Sequence, residues 1–271
     1  MKFDSNLAWR QASASVTTNR DVLAALSGVF FLLPSLAIAL LFPEPMTNAG
    51  MGQQELTRLT IAYYTSVAPF FFVATLIQAF GSQAIILMLS DKSRPTVGVA
   101  LKAALARTLV YLAAQILFGL SAGLVLGIAA SIGAATGVMA LTVLLISAAI
   151  AVAIWCAVRI SLVAPVVAIE RVRNPLGAIV RSWRLTRGNA GRLLAFYALV
   201  FVAFMVTIVV AMAAVQMIAS LVAGAEVARV VGAVVSSILG AGMTVYLIAI
   251  LAAAHRQLAG LGTDTVSATF E

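Results

Sequence analysis

Residues 174–194, NPLGAIVRSWRLTRGNAGRLL, form the densest run of positive charge in an otherwise very apolar chain. Asn174 followed by Pro175 predicts a helix start, because Asn is a favoured N-cap and proline suits the first helical turn. Gly188 and Asn189 predict its end, since both residues tolerate the left-handed backbone that closes helices. The apolar residues recur at i, i+3, i+4 and i+7, and therefore share one helix face: Leu176, Ile179, Val180 and Trp183.

A basic amphipathic helix that carries a tryptophan between apolar segments is typical of an element lying in the plane of a membrane surface. We expect Trp183 to anchor it in the interface. The expected contacts with anionic lipid headgroups are Arg181, Arg184, Arg187 and Arg192. The alternative is a solvated cytoplasmic loop whose arginines serve only to orient the protein in the membrane.

The composition indicates that lipid is the solvent for most of the chain. Of its 271 residues, 63% are hydrophobic and only 10% are charged, whereas soluble domains carry about 25% charged residues. The net charge of +8 sits beside apolar segments, so membrane lipids are the expected partners and nucleic acid is not. Cys156 is the only cysteine, which excludes a disulfide framework and a cysteine-based metal site.

Six apolar segments are long enough to cross about 30 Å of hydrocarbon, which needs about 20 residues. They lie at 22–42, 60–80, 109–130, 138–158, 193–215 and 230–254. The predicted fold is therefore an all-α membrane protein with six transmembrane helices. An A-x-A sequence at 37–39 lies inside the first apolar segment and follows about twenty fairly polar residues, so we expect this segment to remain as an uncleaved anchor.

The distribution of basic residues predicts the orientation. Six spans place both termini on one side of the membrane. The loops on the opposite side contain only Arg58 and Arg229, which leaves 15 of the 17 Lys and Arg residues on the side of the termini. The positive-inside rule then places both termini in the cytoplasm of a bacterial cell whose inner membrane holds the protein.

The chain also shows a recurring order, in which a short amphipathic or basic segment precedes a pair of spans. These segments lie at 5–20, 97–107 and 175–192. We therefore predict one membrane domain of three helical hairpins, each preceded by an interfacial helix, with a threefold repeat. Its units are 1–90, 91–170 and 171–259, followed by a tail at 260–271. Chance repetition of hairpins is the alternative, since any bundle with an even number of spans contains them.

Within the third span, three glycines stand four residues apart at Gly119, Gly123 and Gly127. Small residues at this spacing let two helices approach closely. We predict that this stripe packs against a neighbouring helix.

Residues 159–194 resemble a group of bacterial membrane proteins that includes the membrane domain found beside glycerophosphoryl diester phosphodiesterases and the YciC-like proteins. The resemblance rests on Arg159–Leu162 (RISL), on Pro165 and Glu170, and above all on RSWRLTRGN at 181–189. It implies a polytopic inner-membrane protein with cytoplasmic amphipathic segments. It implies no activity for the membrane part itself, because the phosphodiesterase of this family is a separate soluble domain that is absent here.

The chain is not expected to be an enzyme, and no metal or cofactor is expected. Its nine acidic residues and single histidine, His255, are scattered, whereas a metal-dependent phosphodiesterase needs a cluster of such ligands. We expect His255 to be a surface or interface residue.

The preferred function is binding or organising anionic lipid, or scaffolding a protein partner or a second copy of the chain. The alternative is a permease or lipid transporter, for which Gln115, Arg159 and Glu170 are the candidate polar site, since polar groups inside a bilayer are costly and often functional.

Overall fold

The computed structural model describes residues 2–43, 45, 50–90, 96–222 and 224–260, with the backbone alone at 219–222 and 225. The predicted start of the second repeat unit, at 91–95, and the tail from 261 to 271 lie outside these ranges.

Within the described ranges the chain is helical and contains no strand. The elements are α1 (Ser5–Thr18), α2 (Arg20–Ser27), a π-helical turn (Gly28–Leu32), α3 (Leu33–Leu41), α4 (Gln53–Ser90), α5 (Val97–Thr136), α6 (Met139–Ile160), α7 (Val163–Ile169), α8 (Pro175–Leu185), α9 (Ala190–Val222) and α10 (Ala225–Leu258). The π-helical turn directly precedes Pro34, which lacks an N–H and displaces the carbonyl four residues before it.

Six helical stretches are long and apolar enough to cross a membrane, which confirms the predicted all-α fold with six spans. They are Arg20–Leu41, Gln53–Ser90, Val97–Thr136, Met139–Ile169, Ala190–Ile218 and Glu226–Leu258. The chain is therefore a multi-pass membrane protein.

Two of these helices are much longer than the sequence predicts. The 38 residues of α4 and the 40 residues of α5 correspond to about 60 Å each, twice the hydrocarbon thickness of about 30 Å. The prediction of a separate interfacial helix at 97–107 is therefore wrong, because the segment continues into the third span. No glycine or proline lies between Gly98 and Gly119 to interrupt it. Of the three predicted interfacial helices, α1 and α8 are separate elements, and the threefold repeat stays a prediction.

The end of the bundle formed by α1, α7, α8 and the last turns of α4 and α10 contains the best-buried part of the protein; we call it the basic end. Its centre is α7, which packs on α4, α5, α8 and α10. One buried cluster includes Val163 and Val166 of α7, and a second includes Ala164 and Ala168. This short helix exists because the fourth span breaks at residues 161–162 and restarts with Pro165 in its first turn.

Away from this centre, the spans are less buried by contacts with the rest of the protein. Only 6% of the most apolar stretch of α5 is buried within the protein. A methyl group added at Gly119, Gly123 or Gly127 would meet no atom within 4 Å. The prediction that this glycine stripe packs against a neighbouring helix is therefore wrong within the described chain, because the stripe lies on the exposed face of α5.

Gly81 of α4 provides the contrasting case. A Cβ there would overlap the Phe30 Cβ. The helix α4 therefore crosses the first span at a distance that only glycine permits.

We predict that Gly81→Ala lowers the free energy of unfolding in detergent by about 1 to 3 kcal/mol through overpacking. The matched control Gly119→Ala has open space around it and should leave stability unchanged or slightly raised. Thermal unfolding of the two variants checks this, and equal stabilities would contradict the packing described here.

Candidate functional site

The site is built on α8, whose start agrees with the prediction. The Asn174 side chain accepts hydrogen bonds from the backbone N–H groups of Leu176 and Gly177, at 3.0 and 3.4 Å, and Pro175 occupies the first turn. The helix ends at Leu185, three residues before Gly188, which has a φ of 78°. Such a positive φ favours glycine, and it lets the chain turn from α8 into α9.

The face of α8 that docks on the bundle shares only Ile179 with the predicted apolar face. Ala178, Ser182 and Leu185 are buried there, together with Thr186 just after the helix. The Ser182 hydroxyl donates to the backbone carbonyl oxygen of Arg159 at 2.9 Å. The Thr186 hydroxyl lies within hydrogen-bond distance of three carbonyl oxygens, those of Ser182, Arg159 and Trp183 at 3.0, 3.1 and 3.2 Å, and shares its single proton among them. The Arg159 carbonyl is one of the last four of α6, which have no partner within their own helix. Ser182 therefore caps the broken fourth span, with Thr186 beside it.

Glu170, between α7 and α8, makes the second set of polar contacts that fasten α8 to the bundle. One carboxylate oxygen accepts a hydrogen bond from Arg181 Nε at 2.8 Å, and the other lies 2.9 Å from His255 Nε2. The carboxylate thus joins α7 to α8 and to the end of α10. One sequence prediction is corrected here, because His255 is 0% exposed and is not a surface residue. Arg181 binds Glu170 through Nε, and its side chain remains 43% exposed, so its contact with a headgroup stays a prediction.

The environment of Glu170 favours its charged form. Partial burial acts to raise the pKa of this carboxyl, but the hydrogen bonds and positive charge contributed by Arg181 and His255 act in the opposite direction and prevail. The pKa of Glu170 is therefore lowered from its ordinary value of 4.5. The carboxylate remains an acceptor for both partners at neutral pH.

The termini of the described chain are fastened to the same end. The backbone N–H of Phe3 donates to Asn189 Oδ1 at 2.8 Å, just before α9. Asp4 and Gln257 exchange two hydrogen bonds, at 3.2 and 3.3 Å. Arg256 Nη1 donates to the carbonyl oxygen of Leu89, at the end of α4, at 3.1 Å. The basic end is thus tied together by polar contacts between segments far apart in sequence.

The opposite face of α8 has no such contacts. Leu176, Val180 and Trp183 are exposed there. The predicted contact residues Arg184, Arg187 and Arg192 are exposed too, and none of the three is paired with a carboxylate among the described residues. This surface therefore combines the exposed apolar side chains and tryptophan of α8 with three cations that carry no counter-charge from the described chain: Arg184 on α8, Arg187 in the turn after it and Arg192 at the start of α9.

Arg159 stands apart from these surface cations. It is 8% exposed, and its guanidinium carbon lies 4.6 Å from the centre of the Trp183 ring. This is within the range of a cation–π interaction. The backbone carbonyl of Arg159 thus accepts the Ser182 hydroxyl of α8, and its side chain contacts the α8 tryptophan.

The three residues of the predicted intramembrane polar site do not meet. Arg159 and Glu170 lie on opposite sides of the break between α6 and α7, so they share no continuous helix face. Gln115 lies on α5, is exposed, and donates to the Tyr111 hydroxyl at 3.2 Å. It lines a separate cavity of about 240 Å³, beside Ser161.

Sequence reasoning missed the roles of Ser182, Thr186 and His255. A signal exists for the first two, because serine and threonine in membrane proteins hydrogen-bond either to their own helix or across to a neighbouring one. No local pattern links His255 to Glu170, which lies 85 residues away.

No protein-family model matches the chain, and no curated protein or solved structure matches it.

The lowered pKa of Glu170 leads to a prediction for acid stability. A carboxyl whose pKa is lower in the folded state stabilises the fold above its unfolded pKa, and this contribution disappears as the pH falls through the folded value. We predict that Glu170→Gln is about 1 to 3 kcal/mol less stable than the parent protein at neutral pH. The difference should shrink progressively below pH 4.5. Denaturant unfolding in detergent at several pH values measures it, and a difference that is constant or grows on acidification would contradict the arrangement.

Proposed function

We propose that this chain is a non-catalytic integral membrane protein that binds or organises anionic lipid, or scaffolds a partner, through α8. The observation that supports this most directly is the exposed surface of α8, where Leu176, Val180 and Trp183 lie beside Arg184 and Arg187. Such a surface matches the boundary between headgroups and acyl chains, because apolar side chains enter the acyl region while arginines remain at the phosphates.

The cations of this surface are Arg184, Arg187 and Arg192. Each basic residue close to an anionic membrane surface contributes about 1 kcal/mol to its attraction. Arg181 is a fourth candidate, since its side chain is 43% exposed, but it also binds Glu170 through Nε and is therefore left unchanged in the experiment below. Trp183 suits the interface, where tryptophan places its ring at the level of the headgroups.

The proposed location is the inner membrane of a bacterium, with both termini in the cytoplasm, and the proposed family is the glycerophosphoryl diester phosphodiesterase membrane-domain and YciC-like group. The distribution of basic residues supports the orientation, since only Arg58 and Arg229 belong to the loops on the other side. A reporter fused to residue 271 that is active only in the periplasm would contradict it.

A second candidate function, a permease or lipid transporter, is favoured by the cavity of about 240 Å³ between α5, α6 and α10. Tyr111, Gln115 and Ser161 supply its polar groups. Leu251 closes it on the α10 side. Substrate uptake that is lost in Gln115→Leu, in a protein that keeps its stability and its lipid preference, would favour transport over the lipid-binding proposal.

The lipid proposal predicts a loss of anionic preference when the exposed cations are removed. In the full-length protein, replacement of Arg184, Arg187 and Arg192 by Gln should lower the preference for phosphatidylglycerol over phosphatidylcholine by about tenfold or more. Native mass spectrometry of protein released from nanodiscs containing both lipids measures the retained ratio.

A matched control removes three exposed cations that lie elsewhere in the chain: Lys2, Arg20 and Lys102, each replaced by Gln. This control changes the net charge equally and should have a smaller effect, because these residues belong to three separate segments and none of them lies next to a tryptophan in the sequence. An equal effect of both triple replacements, or no effect of either, would show that α8 does not recognise anionic lipid.

A further inference from the structure

A groove runs from α8 along the outside of the α5–α6 hairpin. It encloses about 360 Å³, and its walls come from residues 117–125 of α5 and 149–160 of α6. Leu176, Ile179 and Trp183 of α8 close it at the basic end. The lining is almost wholly apolar, with Ser121 and Cys156 as its only polar side chains.

The dimensions of the groove fit one leaflet of a bilayer. From Ile160 to Ala149 the α6 wall covers 12 residues, and the 11 steps between them span about 16 Å at 1.5 Å per residue. This is about half of the hydrocarbon thickness of about 30 Å. Val125 and Val152 are exposed as well as lining the groove, so it opens sideways toward the surrounding lipid. A space of this length and direction accepts an acyl chain that starts at the level of α8.

The mouth of the groove carries a cation with no counter-charge. Arg159 directly precedes Ile160 of the groove wall, and its guanidinium contacts the ring of Trp183, which closes the groove. The residue is 8% exposed, and no carboxylate of the described residues forms an ion pair with it. A buried charge without a partner is costly, and a cation–π contact compensates only part of that cost. A phosphate at this position would supply the missing negative charge.

We propose that the groove holds one acyl chain of an anionic phospholipid whose phosphate binds Arg159 beneath Trp183. This inference rests on the proposed function and deepens it, because it converts a general attraction to the anionic surface into a site for a single lipid. Trp183 then has two roles. Its ring closes the acyl groove and also holds the guanidinium that binds the phosphate.

Cys156 allows a test on the unaltered protein, since it is the only cysteine of the chain and lines the groove. The probe is the rate at which a maleimide alkylates Cys156 in the full-length protein in detergent. Phosphatidylglycerol should slow alkylation at a concentration about fivefold lower than phosphatidylcholine with the same acyl chains, as expected for one charge contact of about 1 kcal/mol. Arg159→Gln should abolish that difference. Absence of protection, or equal protection by both lipids in the parent protein, would overturn the proposal.

A groove-filling variant separates this proposal from the general one. Ala153→Phe places a large side chain in the groove, whereas Ala151→Phe, on the exposed side of the same helix, does not. Native mass spectrometry should show that the first variant loses a retained phosphatidylglycerol molecule and the second keeps it. If Ala153→Phe keeps the lipid while the triple α8 replacement lowers anionic preference, the groove site is wrong and the headgroup proposal stands. If Ala153→Phe does not fold, the Cys156 measurement decides alone.

Discussion

The structure depends on how one broken membrane helix satisfies its last carbonyl groups. The fourth span stops at Ile160, and the carbonyl of Arg159 has no partner in its own helix. In apolar surroundings, a carbonyl without a hydrogen-bond donor lowers the stability of the fold by about 1 to 3 kcal/mol. Ser182 donates to this oxygen at 2.9 Å, and Thr186 shares its proton between this oxygen and two carbonyls of α8. This contact fixes where α8 lies and which of its faces points away from the bundle.

The remaining contacts of the basic end follow from that placement. Once α8 is docked, Arg181 reaches Glu170, and Glu170 in turn binds the buried His255 of α10. Asn189, beyond α8, receives the N–H of Phe3 and so fastens α1. Polar contacts thus unite the basic end, whereas the opposite halves of the spans rely on lipid for their surroundings. The face of α8 left outside is the one that carries Trp183 and the unpaired arginines.

Hydropathy and the positions of Asn174 and Pro175 were sufficient to predict the six spans and the start of α8. They did not predict the docking face of α8, because apolar periodicity marks the side that faces the core only when water is the solvent. Here Leu176, Val180 and Trp183 of the apolar stripe are exposed, and the bundle is contacted by Ser182, Ala178 and the fourth stripe residue, Ile179. The pairing of Glu170 with Arg181 and His255 also escaped prediction, since both partners belong to elements whose relative positions are set by tertiary packing.

Hydrogen–deuterium exchange of the full-length protein in detergent tests most directly whether α8 is fastened to the bundle. The account predicts that amides of residues 178–186 exchange slowly, and that Ser182→Ala with Thr186→Ala accelerates them by orders of magnitude while the spans stay protected. Amides of α8 that exchange rapidly in the parent protein, at the rate of a helix resting loosely on a membrane surface, would contradict it.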